Sequence, residues 1–164
     1  MVLIFNFSAS YIGGGHKRMI EFVKYMNNSS GAIFILNKNV QNDVLKYNKN
    51  IYFFIKQSNI SRLILGNYYL NNILSNYENI DFYYSYGIPF TKKIGKINWI
   101  HISNILPFYS YDYKISLYQK IKFTYLKHLF DKSFKIVDFI SAESNFSFSL
   151  FRFMELFQKT LLKG

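Results

Sequence analysis

Short apolar runs alternate along this chain with longer segments whose apolar residues recur at helical spacing. The runs predict strands at 2–7, 32–36, 51–55, 81–86, 96–102 and 135–141. Helical spacing predicts helices after the glycines at 13–15, over 60–77 and over 114–133, and a short one from about Asn145. Strands that alternate with helices in this way indicate βαβ units. The expected fold is therefore α/β, a Rossmann-like doubly wound parallel sheet of six or seven strands.

Three glycines, Gly13, Gly14 and Gly15, join the first predicted strand to the first helix. A glycine turn at a helix N-terminus favours a bound phosphate, and Lys17 and Arg18 in the first turns could also contact one. The segment is not a G-x-G-x-x-G motif, because Arg18 stands at the sixth position, and it lacks the Lys-Ser/Thr of a P-loop. The alternatives are an ordinary βα turn and a solvated first turn.

The composition indicates one folded domain with a substantial core, since 50% of the 164 residues are hydrophobic. The absence of cysteine excludes disulfides, thiolate metal sites and cysteine nucleophiles. A net charge of +11 suggests a phosphate-bearing partner or an anionic membrane, although AT-rich coding could also produce it. No apolar run approaches the ~20 residues of a membrane span. We expect a cytoplasmic protein, with peripheral contact at the inner face of the membrane as an alternative.

His101 is the strongest single candidate for chemistry. It ends an apolar strand and precedes a loop, where doubly wound sheets bind their ligands. A neutral imidazole both donates and accepts hydrogen bonds, which suits the orientation of hydroxyl groups. The alternative is a structural histidine. No two histidines have metal-ligand spacing, so we expect no metal site.

Polar residues near the predicted strand ends fall into two groups. Glu143 and Ser144 follow the last predicted strand and are expected at the cleft edge or as caps of the next helix. Asp81 and Asp138 stand at strand starts, away from a parallel-sheet ligand site, so we assign them no chemistry.

The predicted helix at 114–133 carries one narrow polar stripe, formed by Ser116, Lys120, Thr124, Lys127 and Asp131. The rest is mainly apolar and includes three further lysines, Lys114, Lys122 and Lys132. Lysines beside aromatic residues can extend to an anionic bilayer, so these three are candidate membrane contacts. The alternative is a helix buried on two sides, by the sheet and by a missing partner domain.

Three segments, in this order, resemble the large retaining family 4 of nucleotide-sugar-dependent GT-B glycosyltransferases (glycosyl transferases group 1). They are Gly13-Gly14-Gly15-His16-Lys17-Arg18, then Asn98-Trp99-Ile100-His101 leading to Pro107-Phe108, and residues 137–144. The resemblance implies transfer of a sugar, of hexosyltransferase type, from a nucleotide diphosphate donor to a hydroxyl with retention of configuration. It implies no cofactor beyond the nucleotide-sugar co-substrate, and contact of His101 with sugar or acceptor as the catalytic residue.

The resemblance also predicts the domain organisation. Residues 1–150 match the acceptor-side Rossmann-like domain, and 151–164 are expected to form a truncated C-terminal helical tail. The donor-binding half, with its paired-glutamate motif, is not matched. We therefore expect an enzyme half for polysaccharide or glycolipid biosynthesis that is inactive alone. Its expected partners are the missing half or a split partner, a sugar or lipid-linked acceptor, and further copies of itself.

A different class of function is left open by the same residues. A non-catalytic basic α/β module would bind an anionic membrane or nucleic acid through its lysines and aromatic side chains. No RNA-binding sheet motif is visible and the aromatic residues mostly occupy predicted core positions, so we expect no nucleic-acid partner.

Overall fold

The computed structural model describes residues 1–56, 68–104, 106–108 and 115–143. The strands are β1 Leu3–Asn6, β2 Ile33–Asn37, β3 Ile51–Ile55, β4 Phe82–Tyr86, β5 Ile97–Ile102 and β6 Phe139–Ala142. The helices are α1 Gly13–Asn28, α2 Gln41–Val44, α3, described over 68–74, and α4 Leu117–Phe134. Short 3-10 turns occupy Lys38–Val40 and Leu106–Phe108.

All six strands form one parallel sheet in the order β3-β2-β1-β4-β5-β6. This order confirms the predicted α/β, Rossmann-like doubly wound fold. The chain winds outward from β1 to β3, then returns to pair β4 with the other side of β1. In sheets of this kind, ligands bind beyond the carboxyl ends of the strands, near the point where the winding reverses.

Helices cover both faces of the sheet, as parallel sheets require. One core layer packs α1 and α2 on β1, β2 and β4 and includes Phe5, Phe7, Met19, Val23, Phe34, Val44 and Tyr84. The other packs α3 and α4 on the opposite face and includes Ile4, Ile35, Leu70, Tyr83, Ile100 and Phe130. Alternate strand residues therefore enter opposite layers, which fixes the register.

Three predicted boundaries were wrong by several residues. Helix α3 ends at 74 instead of 77, because residues 75–76 form a turn. Strand β6 begins at Phe139 instead of 135, because α4 continues to Phe134 and residues 135–136 form the turn after it. Helix α4 begins at Leu117 instead of 114, after a capping box in which Ser116 and Gln119 exchange hydrogen bonds. The short helix α2 was not predicted.

Several predictions fall outside the described residues. These are the helix over 60–67, Lys114, Ser144, the helix from Asn145, the domain boundary at 150 and the tail at 151–164. Within the residues that are described, no helix is long and apolar enough to cross a membrane.

Candidate functional site

The first turn of α1 brings backbone N–H groups to the carboxyl edge of the sheet. Gly13 has φ +64°, a conformation that glycine adopts without a side-chain penalty. Ile12 is the N-cap, and its hydrocarbon side chain cannot accept hydrogen bonds from the first turn of the helix. Gly13 and Gly14 are exposed. The positive end of the α1 dipole is therefore open to an anion.

Gly15 has a different role from Gly13 and Gly14. A Cβ added at Gly15 would lie 3.2 Å from Tyr86 Cε1 and 3.4 Å from Ser10 Oγ, whereas one at Gly14 would meet no atom within 4 Å. Gly15 therefore lets α1 approach β4 closely. Ser10 is 4% exposed, and its hydroxyl finds no hydrogen-bond partner among the described residues. The turn thus combines backbone donors with an unpaired buried hydroxyl.

Arg18 and His101 meet at this edge although 83 residues separate them in the sequence. Arg18 Nη1 lies 3.0 Å from His101 Nε2, and His101 is 4% exposed. A guanidinium group only donates hydrogen bonds, so His101 Nε2 must accept and the ring proton must be on Nδ1. His101 Nδ1 lies 2.9 Å from Ser141 Oγ, which completes a chain from α1 to β6.

Tyr86 connects these groups. Its ring stacks on the imidazole of His101 with centroids 4.7 Å apart and an interplanar angle of 9°. Arg18 Cζ lies 5.7 Å from the centroid of the same ring, a cation–π contact. The Tyr86 hydroxyl donates to Glu143 Oε1 at 2.5 Å. Tyr86 thus contacts a cation through the face of its ring and a carboxylate through its hydroxyl.

Electrostatics keep the two rings uncharged near neutral pH. Burial and the Arg18 charge lower the pKa of His101 to about 4, against an opposing effect of Glu143. Burial and the bond to Glu143 raise the pKa of Tyr86 to about 12. A neutral His101 whose lone pair is occupied by Arg18 is unsuited to abstracting a proton. Its geometry is that of a group that holds Arg18.

The remaining predicted site residues are dispersed. Lys17 is exposed on the second turn of α1. Glu143 lies at the cleft, where it accepts a hydrogen bond from the hydroxyl of Tyr86. Lys122 and Lys132 lie on α4, which packs against the other face of the sheet. His16 Nε2 is 3.0 Å from Asp43 Oδ2, away from His101.

Asp81 and Asp138 lie at the amino ends of their strands. A carboxylate oxygen of Asp81 accepts the N–H of Val2 at 2.9 Å, and one of Asp138 accepts the N–H of Asn98 at 2.8 Å. Both residues therefore join neighbouring strands at the edge opposite the cleft. In the described ranges, no three His, Asp or Glu side chains come together in a way that could hold a metal ion.

Four residues of this edge were missed by the sequence analysis: Ser10, Tyr86, Trp99 and Ser141. The register of the sheet places Tyr86 and Ser141 on either side of His101. Tyr86, His101 and Ser141 each lie within the last two residues of their strands. This shared position can be recognised only when the order of the strands in the sheet is known.

No protein-family model, curated protein or solved structure matches this chain. Evidence for its function therefore comes from the fold and from the residues at the carboxyl edge of the sheet.

Proposed function

We propose that this chain is the acceptor-side domain of a nucleotide-sugar-dependent retaining glycosyltransferase that makes a surface polysaccharide or glycolipid and needs a donor-binding half for turnover. The motifs at 13–18, 98–108 and 137–144 follow one another in the same order as in that family, and this supports the class. The doubly wound sheet also supports it. The observation that carries the proposal is the convergence of the α1 N-terminus, Arg18 and His101 at one edge of that sheet.

The ligand chemistry that this edge suits is a phosphate group on a hydroxyl-rich molecule. The α1 N-terminus and Arg18 supply positive potential. The guanidinium of Arg18 has five N–H donors, and the hydrogen bond from Nη1 to His101 uses one of them. Ser10 adds a hydroxyl next to the turn. Glu143 places a carboxylate beside Tyr86, where it can accept a hydrogen bond from a sugar hydroxyl. A nucleotide-sugar diphosphate or a phosphorylated acceptor offers both kinds of group.

In this proposal the residues of the cleft bind and orient, and His101 acts through Arg18. Because His101 Nε2 accepts from the guanidinium, the imidazole fixes Arg18 in one position instead of exchanging protons with substrate. A pre-positioned cation loses little conformational entropy when the phosphate binds. The cleft therefore contributes orientation to a transfer whose donor sugar is held by the other half.

Substitution of Arg18 tests the anion site. We expect Arg18→Gln to weaken the binding of inorganic pyrophosphate about tenfold or more at low salt, because a hydrogen bond to a charged group contributes about 1.5–3 kcal/mol. Isothermal titration calorimetry measures the dissociation constant.

Lys24→Gln is the matched control for this variant, since Lys24 is an exposed residue of the same helix and loses the same charge. Its effect should be less than about twofold, as expected for a screened surface charge. Equal weakening by both variants would mean that net charge alone attracts pyrophosphate, and the site would be rejected.

A second candidate function, binding to an anionic membrane, is supported by the exposed side of α4. Leu117, Ile121 and Tyr125, at four-residue steps, are 73%, 62% and 44% exposed, while Phe130 on the other side is buried in the core. The apolar surface of this helix is thus divided between the core and solvent. Lys132 is exposed on the same side as the three apolar residues. Lys120, three residues after Leu117, and Lys122, three residues before Tyr125, border them on opposite sides.

Vesicle binding tests this second function. We expect the double substitution Leu117→Ser with Ile121→Ser to reduce sedimentation with phosphatidylserine-containing vesicles about tenfold or more, because each buried aliphatic side chain contributes about 1.5–3 kcal/mol. Lys122→Gln with Lys132→Gln should also weaken binding, by about 1 kcal/mol per lysine near the surface.

The control is Lys127→Gln, in the polar stripe away from Leu117, compared with Lys132→Gln, which removes the same charge from the exposed apolar side. Lys127→Gln should leave binding nearly unchanged. If the variant with Leu117→Ser and Ile121→Ser binds vesicles as well as the wild type while every lysine variant binds less, net charge alone attracts the protein to the vesicles. In that case α4 makes no oriented contact with lipid.

A further inference from the structure

Ser141 occupies the far end of the chain of contacts that begins at Arg18. Its Oγ lies 2.9 Å from His101 Nδ1 and 2.8 Å from Trp99 Nε1. Ser141 and His101 are register partners on β6 and β5, and Trp99 precedes His101 by two residues on the same face of the sheet. Three residues of two adjacent strands thus converge on one hydroxyl oxygen.

The chemistry of these groups leaves one arrangement of protons. The indole N–H of Trp99 can only donate, so it occupies one lone pair of Ser141 Oγ. Arg18 can only donate to His101 Nε2, so His101 must donate from Nδ1 to the other lone pair of Ser141. The hydroxyl therefore acts as a double acceptor.

We propose that Ser141 is a positioning residue that sets the tautomer of His101 and through it holds Arg18 in the anion site. The inference rests on the proposed function only in taking Arg18 as the residue that binds phosphate. Without the hydroxyl, the buried Nδ1–H loses its acceptor, and the other tautomer gains stability. That tautomer carries a proton on Nε2, which faces the N–H donors of Arg18 and displaces the guanidinium.

The tautomer can be observed directly in the full chain. At pH 7, ¹⁵N NMR of the histidine rings should show a protonated Nδ1 and an unprotonated Nε2 for His101, assigned by comparison with variants lacking His16 or His128. In Ser141→Ala we expect the population to shift towards Nε2–H and the dissociation constant for inorganic pyrophosphate to rise about tenfold. Ser141→Thr retains a hydroxyl and should restore both values.

A merely structural serine predicts a different outcome. Ser141→Ala would then lower the melting temperature and leave both the His101 tautomer and pyrophosphate affinity unchanged, which would overturn the inference. An Nε2–H tautomer in the wild-type protein would also overturn it, as would a tautomer shift without weaker binding.

The proposed function can fail separately. If the wild-type chain binds no pyrophosphate, the anion site is rejected, and the inference is decided by the tautomer and by the hydrogen exchange of the Arg18 guanidinium. Faster exchange in Ser141→Ala than in Ser141→Thr supports the positioning role, and equal exchange contradicts it.

Discussion

Replacing Gly31 by alanine should lower the free energy of unfolding by about 3 kcal/mol or more, the sum of a strained backbone and a collision. Gly31 has φ +75°, and an added Cβ would lie 2.3 Å from the backbone carbonyl oxygen of Lys49. A backbone atom cannot rotate away as a side chain can, so the connection between α1 and β2 must move. Urea denaturation monitored by circular dichroism measures the change.

Gly14→Ala provides the control for this substitution. An added Cβ at Gly14 meets no atom within 4 Å, and alanine favours the helix by up to about 1 kcal/mol over glycine. We expect equal or slightly higher stability. If Gly31→Ala unfolded at the wild-type urea concentration, the packing of the α1–β2 connection described above would be wrong.

Replacing His101 by alanine is expected to affect both stability and function. The imidazole is buried, stacks on Tyr86 and connects Arg18 to Ser141, so its removal should cost about 2–4 kcal/mol of stability. It should also weaken pyrophosphate binding about tenfold per folded molecule. In an enzyme completed by a donor-binding half, transfer should fall at least tenfold, about 1.4 kcal/mol in the barrier.

Two measurements on one preparation separate the effects of this variant. The melting temperature reports the structural loss, and calorimetry at a temperature where the variant is folded reports binding. His101→Gln is the comparison, because an amide keeps both an acceptor and a donor. It should bind pyrophosphate better than His101→Ala. Wild-type affinity in folded His101→Ala would remove this residue from the site.

Much of the fold could be predicted from the sequence, because apolar runs bounded by polar residues mark strands well. The predicted strand at 51–55 agrees with β3, and those at 81–86 and 96–102 each begin one residue before β4 and β5. The start of β6 was wrong for a physical reason: Ile136 and Val137 are apolar because they pack on the core from a turn, not from a strand. Helix α2 is too short for its periodicity to be recognised.

The candidate site was predictable only in part. His101 stood out because it ends an apolar strand, and Arg18 because it follows the glycines. Their mutual contact depends on β5 lying two strands away from β1, which local patterns do not specify. Tyr86 and Ser141 resemble ordinary strand residues in the sequence, and their role arises from the register that aligns them with His101.

Binding of a phosphate group at the N-terminus of α1 beside Arg18 can be observed at individual residues. The experiment follows the backbone amide signals of the full chain by NMR during titration with inorganic pyrophosphate. We expect saturable shifts at Gly14, Gly15 and Arg18, and their loss in Arg18→Gln. Shifts confined to the lysines of α4, with the signals of residues 13–18 unmoved, would show that the phosphate binds elsewhere and that the α1 site is wrong.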